Sequence, residues 1–243
     1  MQLELSQQTR TLDRREIVES HSKHKRETIA TGDKQILSQA EQYSEADELF
    51  YQGIEAFNTN QHQEALALLS AALDIYREIE DRQSEAVALS RLGTVHFRID
   101  NYQQAVDFHQ QSLAIAEEIN DRRSEGISLG NLGGIYFRLG DYQQAIDFYQ
   151  QSLAIAKEIN NLQGEATALV NLGNAYGSLG AFQRAIDLQQ QSLAIAREMN
   201  NRQNEAVALG SLGNSYDNLG EYQRGLDFHQ QYLAISKEVG DRR

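Results

Sequence analysis

The 243-residue chain has no cysteine, no proline and no tryptophan, and only two methionines. Without cysteine there is no disulfide framework, no thiol nucleophile and no cysteine-ligated metal. Without proline nothing obliges a helix to stop or kink, and the abundance of Ala, Leu, Glu and Gln favours long helices. No apolar run approaches the length of a membrane span, and the N-terminal stretch MQLELSQQTRTLDRRE lacks the apolar core of a secretory signal. The expectation is a soluble intracellular protein, cytoplasmic and without a membrane partner. Positive charge is scarce as well: 22 Lys and Arg stand against 35 Asp and Glu, a formal net charge of −13. Residues 1–43 carry seven of each sign, so the whole excess falls on the remainder. That balance argues against a nucleic-acid partner, because such affinity comes largely from basic residues neutralising phosphates.

What is present is repetition. LGTVHFRIDNYQQAVDFHQQSLAIA, from Leu92 to Ala116, returns 40 residues later as LGGIYFRLGDYQQAIDFYQQSLAIA, from Leu132 to Ala156. It returns again from Leu172 to Ala196 and from Leu212 to Ser236. A fainter copy precedes these, with Gly53, Phe57, Ala65 and Leu73 at the places of Gly93, Phe97, Ala105 and Leu113. A fixed period of this size signals a solenoid of stacked units. Residues 1–43 match no unit and are expected to be a polar leader, with a helix around 33–43. Its cluster His21-Ser-Lys-His24-Lys-Arg26 is read as a solvated tail, since no acidic or cysteine partner completes a metal site.

Each unit contains two helical patterns. In the second unit the first helix is expected from Arg82 to Ile99, with Asp81 as its N-cap and Ala88, Leu89, Leu92, Val95 and His96 on its apolar face. It stops at Asp100; Gly140, Gly180 and Gly220 take the same place and suit a left-handed helix end. The second helix is expected from Tyr102 to Ile119. Between units the chain turns at Asn120-Asp121, Asn160-Asn161 and Asn200-Asn201. Gly93, Gly133, Gly173 and Gly213 lie inside helices, where glycine costs about 1 kcal/mol relative to alanine. A close approach of the paired helix would explain them, with the small residues Ala105, Ala145, Ala185 and Gly225 expected opposite. His96, Tyr136, Tyr176 and Tyr216 are expected to fill the remaining gap with one ring per unit.

The pattern of Leu132, Gly133, Tyr136, Tyr142 and Ala145 resembles the tetratricopeptide repeat. The usual period of that family is about 34 residues; this one is 40. The longer form, with its NLGN-like and SLAIA-like segments, is similar to the repeats of LGN/Pins spindle-orientation adaptors, kinesin light chains and bacterial regulators. The resemblance implies an all-α, right-handed superhelical solenoid of about five hairpins, over approximate units 44–81, 82–121, 122–161, 162–201 and 202–243. It further implies that the first helices line a concave groove for a peptide or protein segment.

If so, residues opposite the packed stripe face the ligand: Phe57; Arg91, Thr94, Phe97 and Arg98; Asn131, Phe137 and Arg138; Asn171 and Asn174; Asn214, Asp217 and Asn218. The asparagines can both donate to and accept from the backbone of an extended peptide. The phenylalanines offer apolar contacts, and the arginines suit carboxylates, so the expected ligand is partly acidic with hydrophobic anchors. No GxGxxG, GxxxxGK or HExxH occurs, and His96, His109 and His229 stand where other units have Tyr or Gln, which assigns them to packing or surface. No enzyme activity, cofactor or metal is expected. The competing reading is a self-assembling scaffold, or a regulatory domain covering a partner domain absent from this chain. The second helix of the last unit, ending near Arg243, would leave its outer face open to homo-oligomerisation.

Overall fold

A computed structural model describes residues 39–240, and all of its regular elements are α-helices. They are α1 (Gln39–Asn58), α2 (His62–Glu78), α3 (Arg82–Arg98), α4 (Tyr102–Glu118), α5 (Arg122–Leu139), α6 (Tyr142–Glu158), α7 (Leu162–Ser178), α8 (Phe182–Glu198), α9 (Arg202–Leu219) and α10 (Tyr222–Gly240). The helix α1 takes in residues 39–43, which the sequence assigned to the leader; the His21–Arg26 cluster lies outside the described residues. Of the described residues, 41–240 form one compact unit.

Helix ends follow one rule throughout. The first or second residue past each helix from α1 to α9 takes a positive φ: Asn60, Asp100, Gly140, Gly180 and Gly220 within units, and Glu80, Asn120, Asn160 and Asn200 between them. At the first junction the Glu80 amide donates to the Arg77 carbonyl and the Asp81 amide to the Tyr76 carbonyl. This is the Schellman closure that satisfies carbonyls a helix end would otherwise orphan. The next residue then starts the following helix. The Asp81 side chain accepts from the Ser84 amide, Asp121 from Ser124, Asn161 from Gly164 and Asn201 from Asn204, each at 3.0–3.1 Å. The Asn-Asp and Asn-Asn pairs thus do by conformation what a proline would do by exclusion.

Within a unit the two helices pack as an antiparallel hairpin, and each second helix packs against the first helix of the next unit. First helices of successive units also neighbour one another, α3 with α5, α5 with α7 and α7 with α9. A serine ties each of the three middle hairpins: Ser112, Ser152 and Ser192 donate to the carbonyls of Ala86, Gly126 and Ala166 at 2.8 Å. Along one edge runs an ion-pair ladder. Arg82 pairs with Glu85 and Glu118, Arg122 with Glu125 and Glu158, and Arg202 with Glu205 and Glu238. Leu162 occupies the corresponding place in the fourth unit.

The glycine seam differs from expectation. The alanines are fully buried as anticipated, but the group each glycine admits is a large side chain one turn further on. A Cβ at Gly93 would lie 2.7 Å from His109 Nε2, at Gly133 2.6 Å from Tyr149 Cδ1, and at Gly173 2.8 Å from Gln189 Cγ. Leu69 and His229 meet Gly53 and Gly213 in the same way. A flat or slender side chain therefore crosses the helix axis where Cβ is missing. The ring row behaves as expected: His96, Tyr136 and Tyr216 stack on Phe108, Phe148 and Phe228 with centroids 5.2–5.4 Å apart. In the fourth unit Leu188 replaces the phenylalanine, and Arg184 covers the Tyr176 ring at 4.0 Å instead.

Candidate functional site

Contact between successive first helices brings one row of side chains from each unit onto a shared wall. Residues three and four apart share a helix face, so Arg91, Thr94 and Arg98 of α3 stand in line, as do Asn131 and Arg138 of α5 and Asn171 and Asn174 of α7. Asn131 and Asn171 are half-buried, and neither side chain has a hydrogen-bond partner among the described residues. Arg91 and Arg98 are exposed and form no ion pair there. Arg138 donates to the Tyr102 hydroxyl at 3.4 Å and lies 3.9 Å from Asp100.

Several candidate residues are already engaged. Phe57, Phe97 and Phe137 are half-buried at the hairpin turns, each against the ring that opens the second helix, at 5.9 Å from His62, 5.8 Å from Tyr102 and 5.4 Å from Tyr142. Thr94 Oγ1 donates back to the Ser90 carbonyl at 2.9 Å. Asp217 accepts from His229 Nε2 at 3.1 Å and lies over Gly225, where a Cβ would overlap its carboxylate. Asn214 and Asn218 are exposed.

Asn174 is held from behind. The Ser215 hydroxyl donates to Gln189 Oε1 at 2.8 Å, and Gln189 Nε2 donates to Asn174 Oδ1 at 3.1 Å. This chain crosses from the fifth unit to the fourth and fixes which way the asparagine points. With its oxygen engaged by Gln189, the Asn174 NH2 group is the part left without a partner among the described residues. Gln189 is 1% exposed, so the wall's polarity at this point is set by a core residue.

The sequence reading missed part of the wall. Ile127 and Val207, each 50% exposed, sit four residues before Asn131 and Ser211 and therefore on the same helix faces. With the half-buried Val87 they form an apolar row, interrupted by Thr167. Their position one turn ahead of the asparagine row is the signal that could have found them. No group of three or more His, Asp or Glu among the described residues could hold a metal ion. No described helix is long and apolar enough to cross a membrane.

A stack of helical hairpins with a variable inner wall and an invariant packing code defines a repeat module of the tetratricopeptide type. The family's model matches residues 56–118, 124–198 and 164–238, more than half of the chain, and the protein belongs to the tetratricopeptide repeat family. Its fold is the right-handed solenoid of that family. No curated protein matches the sequence. Among solved structures, it is similar to the nearly identical TPR-like repeats of a candidate kinesin light chain from Podosopora anserina. That match has 21% identity over 82% of this chain and 98% of the other, with a TM-score of 0.67. A Rap protein solved in complex with competence and sporulation factor shares 20% identity over 85% of this chain and 57% of its own, with a TM-score of 0.72. Aspartyl phosphate phosphatase F from Bacillus subtilis shares 15% identity over 80% of this chain and 60% of its own, with a TM-score of 0.65. At these identities the likeness is one of fold.

Proposed function

We propose that the array is an adaptor or scaffold module that holds an extended peptide or protein segment along the wall of first helices. One observation carries this reading: Asn131 and Asn171 present unpaired amides at matching places on adjacent helices, with Asn174 locked beside them by Gln189. An amide with no partner in the array keeps its donors and its acceptor available, and a peptide backbone offers both complements. Arg91, Arg98 and Arg138 favour carboxylates over the second and third units. Ile127, Val207 and the outer edges of Phe97 and Phe137 favour apolar anchors. The Rap protein solved with its factor supports a peptide as the kind of ligand. The reading assigns no catalytic step to this chain: His109 is enclosed in the core, and His96 stacks on Phe108.

The test is selection from a displayed library of random linear peptides, using the wild-type array and the Asn171→Ala/Asn174→Ala double variant. Wild type is expected to enrich sequences that combine Asp or Glu with large apolar residues. The double variant is expected to lose that enrichment while keeping its circular dichroism spectrum and a cooperative unfolding transition, with Tm lowered only by the loss of the Gln189–Asn174 bond. Equal enrichment by both proteins would refute the placement of the site.

A further inference from the structure

Every second helix carries an outer stripe at positions equivalent to Tyr222, Leu226, Gln230, Leu233 and Lys237 of α10, spaced four, four, three and four residues apart so that they share one face. In the interior units the next first helix covers that stripe. Val106, Ile146 and Ile186, the counterparts of Leu226, are 7%, 2% and 1% exposed. Gln150 and Gln190, the counterparts of Gln230, donate to the hydroxyls of Tyr176 and Tyr216 in the following unit. Arg77, Lys157 and Arg197, the counterparts of Lys237, pair with Glu85, Glu165 and Glu205 of the following unit. In α10 the same face is open: Tyr222 is 72% exposed, Leu226 49% and Leu233 51%, and Lys237 has no ion-pair partner among the described residues. An apolar strip of this length is more than the scattered surface residues normal to a monomer.

The first helix of a second copy is a poor cover for it. In α1 the positions that other first helices fill with Ala88, Leu92 and Val95 hold Glu48, Gln52 and Glu55, all exposed. Head-to-tail stacking would press the carboxylates of Glu48 and Glu55 against the apolar Leu226 and Leu233, which burial penalises. The stripe on α10 instead complements itself. Run antiparallel to a second α10 about a two-fold axis near Gln230, Leu226 meets the partner's Leu233 and Leu233 meets the partner's Leu226. The same register sets Lys237 against the exposed ring of the partner's Tyr222, an attractive cation–π pairing, and brings the two Gln230 amides together. A surface that contacts its own copy in this reciprocal way makes a closed pair rather than a filament.

We infer that two copies associate tail to tail through α10, burying Tyr222, Leu226, Gln230, Leu233 and Lys237 and leaving both inner walls open. The test is sedimentation velocity on the full chain from about 1 μM to about 100 μM, a range that brackets a micromolar association. Wild type is expected to reach twice the chain mass. Leu226→Glu/Leu233→Glu, which changes only exposed side chains, is expected to stay monomeric with unchanged helix content and Tm. Because the chain has no cysteine, Gln230→Cys provides a single labelling point. A short bis-maleimide cross-linker is expected to capture it as a covalent dimer, and an exposed Gln203→Cys control is not. A wild type that remains monomeric at the top concentration, a ladder of higher oligomers, or a double variant that still dimerises would each overturn the inference. These readouts require no peptide, so they stand or fall apart from the groove.

Discussion

Acid should weaken this array through one buried ring. His109 is 1% exposed, wedged over Gly93, and its Nδ1 has no hydrogen-bond partner. Burial disfavours the charged imidazolium and pushes its pKa down from the ordinary 6.5 to about 4. Between those two values the unfolded chain binds a proton that the folded chain refuses, so stability falls as pH drops. The full gap is worth about 3 kcal/mol; at pH 5 about 2 kcal/mol of it has been lost relative to pH 7.5. Carboxylates titrate over the same range, and burial lowers the His96 pKa as well, so the ring must be isolated by substitution. His109→Leu does this, since the first unit places Leu69 over Gly53 at the same position. Urea unfolding followed by circular dichroism, on both proteins at pH 7.5 and pH 5, measures the difference. The stability of H109L relative to wild type is expected to rise by about 2 kcal/mol on acidification. A relative stability that does not move with pH would show that the ring is not held neutral, and the account of the seam would fail with it.

Two further substitutions test the packing code and the edge ladder. Gly133→Leu drives a side chain into Tyr149, whose Cδ1 lies 2.6 Å from the Cβ position, and is expected to cost about 3 kcal/mol or more; combined with Tyr149→Ala it should cost less than the two single changes added, measured by the same unfolding assay. Leu162→Arg restores the ladder's missing rung beside Glu165 and Glu198 and is expected to stabilise by about 0.5–1 kcal/mol at low salt and by nothing measurable near 1 M; a gain that persists in high salt would point to a cause other than charge.

Most of the fold was legible because it is written in residues whose type is tied to one physical task. Asp81, Asp121, Asn161 and Asn201 cap helices with an acceptor side chain, and Gly140, Gly180 and Gly220 end them at positive φ. Both tasks admit few residue types, so they recur recognisably at a period of 40. The row over the glycines was not legible, because Leu69, His109, Tyr149, Gln189 and His229 have no chemical type in common. Their shared property is a fixed spacing of 16 residues from a helix glycine, which only a three-dimensional contact gives meaning. The inner wall was partly legible for the same reason. Its asparagines stand out, whereas Ile127 and Val207 look like core residues until their neighbours are seen to leave them uncovered.

That unreadable row also links the core to the wall. Because each glycine lets a side chain cross its helix, the tip of that side chain arrives at the residue after the glycine or one turn further along. The Tyr149 hydroxyl stands 3.8 Å from where a Cβ would be on Gly134, Gln189 reaches Asn174, and His229 reaches Asp217. A change at one of these second-helix positions therefore alters what the inner wall offers without touching a surface residue. Packing demands only that the crossing group be flat or slender, which leaves its polarity free. Stability and the chemistry of the wall can thus vary separately along the array: the glycine and the buried alanine hold the hairpin, and the group passing between them determines whether the wall behind each unit is apolar, amide-lined or charged.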